Sequence, residues 1–434
     1  MLWFLYNVLF TIGYVLMLPR FIRRMLRRGG YGPGFGQRFG RYDAGTLARL
    51  RARRRLWVHA VSVGEVFIAL RFMRELRSRA PEYAFVLTTN TSTGRAVAEK
   101  RIAKDDILLY VPADFPWIVR RALRAFAPAA LILTESELWP NMMRLSRRHG
   151  ARLVLVNGRI TDSSYRGYRR LRVFFGRAVR LFDLCFVQTE ADRARLEGLG
   201  AAPARVRVVG SAKYDGPEPD PAGEEQARLA LREAGFPDDA IVLLGGSTWP
   251  GEEAALLDVY RALKPRHPEL RLVLVPRHVE RRAEIEAEIG RAGLTHLRRS
   301  ALNGQAREGR QDVVLVDTTG EMMGFYAAAD IVFVGKSLTE HGGQNFVEPA
   351  ALGKPVLTGP NLENFPVVAE DFRRAEALLQ VATVAELQER IRRLLADPSE
   401  RAALGERARS VVAQHRGVLA GTADAVVEVL RSDR

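Results

Sequence analysis

Val334 to Pro360 reads V-G-K-S-L-T-E-H-G-G-Q-N-F-V-E-P-A-A-L-G-K-P-V-L-T-G-P, and the fold follows from it. The apolar run Ile331–Val334 enters a glycine-bearing loop. A short helix pattern opens near Asn345 with Glu348 in its first turn, and the Gly353–Lys354–Pro355 turn leads into Val356–Leu357. Strand, loop, helix and strand in so few residues put backbone N–H groups and one carboxylate at the carboxyl end of a parallel sheet, where open α/β sheets bind ligands. Gly342 and Gly343 would let a ligand reach the backbone, and a helix N-terminus favours an anion. The carboxylate would repel a phosphate but accepts hydrogen bonds from sugar hydroxyls. The expectation is a nucleoside phosphate held by both ends.

Working outward, short apolar runs alternate with longer helical patterns. Strands are expected at Leu56–Val61, Ala84–Thr89, Ile107–Val111, Ala129–Thr134, Arg152–Val156, Leu184–Gln188 and Val206–Val209. A second series runs Ile241–Gly245, Leu272–Val275, Val313–Val316, Ile331–Val334 and Val356–Thr358, and the tail from Thr383 reads as helices. Most of these runs are continuously apolar, as in strands buried on both faces. The class is therefore α/β, with two Rossmann-like doubly wound sheets. The proline-rich Asp215–Gly223 breaks both periodicities. The expected domains are 51–214 and 225–434, joined by a hinge at 215–224 and facing a cleft.

With 434 residues, 47% of them hydrophobic, the chain has material for two sizeable cores. The single cysteine, Cys185, lies in an apolar run and excludes an internal disulfide or a Cys-based zinc site. The net charge of +16 suggests nucleic acid until it is located: twelve arginines and one acid fall within residues 1–56. Met1–Leu18 carries no charge and is at the short limit for crossing a bilayer. Arg20, Arg23, Arg24, Arg27 and Arg28 then recur on one helical arc. Residues 1–28 read as an anchor followed by a basic amphipathic helix that attracts an anionic membrane surface from the cytoplasmic side. A hydrophobic helix docked on the domain is the alternative. Residues 29–50, rich in glycine at first, are expected to be a loop or linker.

Several loops could carry chemistry. Ser62 and Glu65 have capping-box spacing, yet Glu65 also stands at the first βα turn, where a carboxylate could deprotonate a hydroxyl. Thr88–Gly94 could bind phosphate or merely cap a helix. Glu135 and Glu137 end the fourth strand beside Trp139 and Pro140, with no nearby third ligand for a metal. Lys213, one of six lysines against sixty arginines, lies at the hinge and suits a developing negative charge. In the second half, Gly245–Pro250, Pro276–Arg277 and Gly320–Glu321–Met322 also end strands and, with the 334–360 stretch, form a nucleotide-binding edge.

The motifs S-V-G-E, T-E-S-E-L-W-P-N, G-S-A-K-Y-D, V-P-R-H, G-E-M and G-G-Q-N-x-x-E-P-A-A-L-G-K-P-V, in this order after a short anchor, resemble the bacterial Kdo (3-deoxy-D-manno-octulosonic acid) transferases. The resemblance implies a GT-B fold and inverting, metal-independent transfer from CMP-Kdo to a sugar hydroxyl of the lipid A precursor, with no cofactor and no nucleic-acid partner. It implies Glu65 as general base, and Glu135 and Lys213 as transition-state stabilisers. Pro276, Arg277, Gly320, Glu321, Met322, Asn345, Phe346, Val347 and Glu348 would hold CMP, with Glu348 on the ribose. It places the protein on the cytoplasmic face of the inner membrane. Gln344 and Lys336 depart from the commoner pattern. The alternatives are a GT-B enzyme for a UDP- or GDP-sugar, and a non-enzymatic tethered binding protein.

Overall fold

A computed structural model describes residues 1–28, 34–135, 137–216, 219–302 and 309–432. Parts of the expected linkers, residues 29–33 and 217–218, lie outside the described residues, as do the side chains of Arg20, Arg24, Arg27 and Arg28. The chain divides into two compact units, residues 1–212 with 417–434 and residues 213–416.

The first unit opens with helices α1 (Leu2–Arg28) and α2 (Ala44–Arg51). Its strands are β1 (Arg54–His59), β2 (Tyr83–Thr89), β3 (Ile107–Tyr110), β4 (Pro128–Thr134), β5 (Arg152–Gly158), β6 (Leu184–Val187) and β7 (Val206–Val208). Between them run α3 (Val63–Arg79), α4 (Ser92–Glu99), α5 (Pro116–Phe126), α6 (Pro140–Arg148), α7 (Asp162–Arg170), α8 (Arg172–Val179) and α9 (Glu190–Leu199). The strands form one sheet in the order β3-β2-β1-β4-β5-β6-β7, every pairing parallel. Its two faces bury separate apolar clusters, one around Trp57, Phe126 and Leu153, the other around Phe72, Phe85 and Val154. Residues buried on both sides explain why these strands read as unbroken apolar runs.

The second unit holds β8 (Ile241–Thr248), β9 (Leu270–Pro276), β10 (His296–Arg298), β11 (Val313–Leu315), β12 (Ile331–Val334), β13 (Val356–Thr358) and β14 (Leu379–Gln380). Its helices are α10 (Pro221–Glu233), α11 (Glu252–Leu263), α12 (Arg282–Arg291), α13 (Met322–Ala328), α14 (Val347–Ala351), α15 (Pro366–Arg374), α16 (Val384–Ala396) and α17 (Pro398–Gln414). The sheet order is β10-β11-β9-β8-β12-β13-β14, again parallel throughout.

Three boundaries differ from expectation. The last helix, α18 (Val418–Arg431), belongs to the first unit: Leu419, Ala423 and Val426 join the cluster that contains Phe72, and Arg79 pairs with Asp424 at 2.6 Å. An apolar stripe says that a helix docks, but not on which sheet. Residues 34–51 are not a free linker, because Arg38 is buried and bonds Asn90 while Leu50 enters the core. The units part at Ala212, a little before the proline-rich hinge, since Tyr214 is buried in the second unit's core.

Candidate active site

In the first sheet the strand order reverses between β1 and β4, and ligands of open α/β sheets bind beyond the carboxyl ends at such a point. The loop leaving β1 enters α3 through a full capping box: Ser62 Oγ accepts from Glu65 N at 3.2 Å, and Glu65 Oε1 accepts from Ser62 N at 3.1 Å. The other carboxylate oxygen, Oε2, accepts from Val61 N at 2.9 Å. Glu65 is buried, its carboxylate fixed by two amides rather than by a cation. Thr134 Oγ1, at the end of β4, lies 3.3 Å from Oε2 and 2.8 Å from the His59 carbonyl. Its single proton can be donated to the His59 carbonyl or to Glu65 Oε2.

Two more acids stand beside this one. Glu135 follows β4 with φ 55°, a left-handed conformation that costs a non-glycine residue energy and clusters at functional sites. Glu137 accepts from Trp139 Nε1 at 2.9 Å. Burial pushes the Glu137 carboxyl up to about 7, the charge of Glu65 and then that of Glu135 adding to the effect against the Trp139 bond. Glu65, Glu135 and Glu137 thus form one electrostatic neighbourhood. Ser136 lies outside the described residues. His59 is no proton carrier here, since burial drives its imidazole down to about 4. The Thr88–Gly94 loop acts as a cap, with Thr91 Oγ1 accepting from Gly94 N at 3.0 Å.

In the second sheet the reversal falls between β8 and β12, so the loops after these strands occupy the corresponding position. Here the expectation of free amides in the 334–360 stretch is corrected for residues 335–338 and 342–344. The N–H groups of Lys336, Ser337 and Leu338 all donate to the carboxylate of Glu252, at 2.8 to 3.0 Å. Gly335 N donates to Gly246 O, Gly342 N to Glu363, Gly343 N to Lys336 O and Gln344 N to Gly335 O. Gly342 and Gly343 have φ of 113° and 71°, and a Cβ on either would strike Asn364 or Leu362. Their smallness admits the chain's own 361–364 segment. Gly320, at φ 100°, faces open space instead.

The helix expected at Asn345 has only five residues, too short for much dipole. Asn345 Nδ2 donates to Glu348 Oε1 at 2.9 Å, so these two predicted residues meet. Phe346 and Val347 are fully buried, Phe346 against Phe365 and Phe372, so only their backbone could meet a ligand. The Glu321 carboxylate is engaged by Arg299 at 2.8 Å. Pro276 is buried at the end of β9, followed by an exposed Arg277 whose N–H donates to Thr248 O. Lys213 donates to Asn364 O and lies 4.2 Å from the centre of the Phe365 ring, within the second unit. It thereby sits on the segment that braces Gly342 and Gly343. Lys336, at φ 57°, sets its ammonium 4.7 Å over Trp249. Among the described residues no group of three or more His, Cys, Asp or Glu is arranged to hold a metal ion.

Sequence reading missed Glu252. It is fully buried, and besides its three bonds to the β12 loop it accepts from Trp249 N in the β8 loop at 2.9 Å. One carboxylate thus joins the two loops at the switch point. The available signal was an acid pair, Glu252–Glu253, directly after Trp249–Pro250–Gly251, which reads as ordinary first-turn charge.

Comparison with known proteins identifies the family. The family described as 3-deoxy-D-manno-octulosonic-acid transferase matches residues 33–216, and glycosyl transferases group 1 matches residues 254–411. The 3-deoxy-D-manno-octulosonic acid transferase of Bordetella pertussis is 37% identical over 417 residues, covering 94% of this chain and 95% of the relative. That of Haemophilus influenzae is 31% identical over 365 residues, 84% of each chain. Among solved structures, Anabaena HepE in complex with UDP superposes with a TM-score of 0.58 at 15% identity, over 87% of this chain and all of that one, which speaks to the GT-B-like fold alone. Sequence likeness over nearly the whole of both chains, on two doubly wound sheets, means that the chain belongs to the Kdo transferase family of glycosyltransferases.

Proposed function

We propose that this Kdo transferase moves Kdo from CMP-Kdo to a sugar hydroxyl of the lipid A precursor, with inversion and without a metal, at the cytoplasmic face of a bacterial inner membrane. The observation that carries the reading is Glu65, a buried carboxylate held by two amides at the switch point of the first sheet. In the proposed step the acceptor hydroxyl gives its proton to Glu65 Oε2 as its oxygen bonds the anomeric carbon. The bond from that carbon to the phosphate oxygen breaks, and CMP leaves with the electron pair. Attack opposite the leaving group inverts the centre. Lys213 and Arg277 are the cations assigned to the developing phosphate charge, and Glu135 assists on the acceptor side. Backbone groups at Pro276, Gly320, Glu321, Met322, Phe346 and Val347 would line the nucleotide, with Asn345 and Glu348 on the ribose.

Mass spectrometry of the products formed from CMP-Kdo and lipid A precursor tests the reaction; the expected product gains one or more Kdo masses, and an unmodified precursor counts against it. Excess EDTA is expected to leave the rate within twofold, and a loss restored by a divalent cation would remove metal independence. Glu348→Ala is expected to weaken CMP binding about tenfold or more, since a hydrogen bond to a carboxylate contributes about 1.5–3 kcal/mol. Unchanged calorimetric affinity would remove Glu348 from the nucleotide site.

A further inference from the structure

The N-terminal helix is long and apolar enough to cross a membrane over Leu2–Pro19, yet its two faces differ. Trp3, Tyr6, Asn7, Phe10 and Tyr14, spaced three and four apart, turn toward the first unit. Tyr6 Oη donates to Asp114 Oδ2 at 2.9 Å, and Asn141 Nδ2 donates to Asn7 Oδ1 at 2.7 Å. Asp114 is itself buried and also accepts from the amides of Asn141 and Met142. Phe10 and Tyr14 meet Phe115 edge-on, Tyr6 meets Phe174 of α8, and Arg144 lies over Trp3. The other face is apolar and open: Phe4, Leu5, Ile12, Val15, Leu16 and Met17 are each about half exposed or more.

A helix crossing the bilayer upright would carry this latch with it. Asp114, Asn141 and Arg144 would enter hydrocarbon, where a polar or charged group is costly. A helix lying along the surface meets no such conflict, because its polar-latched face stays on protein and its apolar face enters one leaflet.

The neighbouring α8 adds charge to the same region. Residues 162–182 hold six arginines and one acid, Asp162, which is paired with Arg195. Arg172, Arg177 and Arg180 are exposed and, with Val173, Gly176 and Leu199, line a pocket of about 300 Å³. Gly176 allows this shape, since a Cβ there would strike the Leu199 carbonyl at 2.7 Å. Leu171 and Val173, between the pocket and the Phe174 contact with α1, are exposed apolar side chains. An apolar stripe beside unneutralised arginines complements acyl chains beneath anionic headgroups. We infer that α1 and α8 together form a seat for an anionic lipid bilayer, with α1 in the plane of one leaflet and the arginine pocket holding a lipid phosphate. The seat is independent of which nucleotide or acceptor the enzyme uses.

The test uses the full chain added to preformed vesicles. The triple variant Arg172→Gln, Arg177→Gln, Arg180→Gln is expected to bind phosphatidylglycerol-containing vesicles at least tenfold more weakly, with weak binding to pure phosphatidylcholine unchanged. Inorganic phosphate at millimolar concentration is expected not to compete; full competition would mean a free-phosphate site and overturn the seat. Equal binding by variant and parent would overturn the pocket's part. For the orientation, the buried Cys185 leaves labelling silent, so a Phe4→Cys variant can carry a nitrobenzoxadiazole dye. External dithionite is expected to bleach the dye fully in intact vesicles. Protection that ends only on lysis would mean a spanning helix and overturn the in-plane anchor.

Discussion

Glu65→Gln is expected to lower Kdo transfer by about 10²–10⁴-fold, the usual contribution of a general base, while CMP affinity stays within twofold of the parent. The expectation is sharpened by the capping box, because the same carboxylate has a structural duty. Glutamine keeps one carbonyl oxygen for Val61 N or Ser62 N but turns an N–H₂ toward the other, so the helix start should weaken by about 1 kcal/mol. Such a loss moves the melting temperature of a unit this size by only about 2–4 °C, and cannot explain a thousandfold fall in rate. Ser62→Ala provides the control. It removes the bond that Ser62 Oγ accepts from Glu65 N at 3.2 Å and leaves the carboxylate intact. Similar destabilisation with transfer retained within about fivefold assigns the rate effect to the carboxylate. If Ser62→Ala loses transfer as Glu65→Gln does, the residue acts as a cap and the base must be sought elsewhere, with Glu137 the nearest candidate.

How far the sequence could be read depended on how local each signal was. Runs such as Ile331–Val334 and Val356–Thr358 match their strands residue for residue, because burial on both faces keeps such runs almost wholly apolar. Edge strands β10 and β14 were not expected; three and two residues are too few to establish a pattern, and their burial is partial. At the site, Glu65 and the Asn345–Glu348 pair stood out because their partners lie within four residues. The bonds that decide the second unit's site are long-range. Glu252 meets amides more than eighty residues away, and Lys213 meets Asn364, 151 residues on. No periodicity encodes such pairings. For the same reason the stretch from Val334 looked open to a ligand, although the amides of residues 335–338 and 342–344 are occupied. The docked face of α1 was likewise hidden, since Tyr6 and Asn7 have meaning only beside Asp114 and Asn141.

Those occupied amides make Glu252→Ala the second large effect. A buried carboxylate can only accept, and here it accepts from four backbone N–H groups: Trp249, Lys336, Ser337 and Leu338. Removing it orphans donors in two loops at once. At about 1–3 kcal/mol for each unsatisfied buried group, partly relieved by water, the loss should total about 3–5 kcal/mol and lower the melting temperature by roughly 10 °C. More telling is where the strain is released. Lys336 holds φ 57° and Ser247 φ 52°, conformations that persist only where surrounding bonds over-determine them. Without Glu252 both loops should relax, and CMP affinity should fall tenfold or more even at temperatures where the variant is fully folded. Glu253→Ala separates the two effects. Glu253 is equally buried but pairs with Arg281 at 2.8 Å and accepts from Thr248 Oγ1, away from the β12 loop. Removing Glu253 also orphans Thr248 Oγ1 and should cost about 1–3 kcal/mol, Arg281 keeping its pair with Glu284, while CMP affinity changes by less than threefold. Equal loss of CMP affinity in both variants would mean that general destabilisation governs binding. A Glu252→Ala protein with parental affinity would mean that the nucleotide does not rest on these loops.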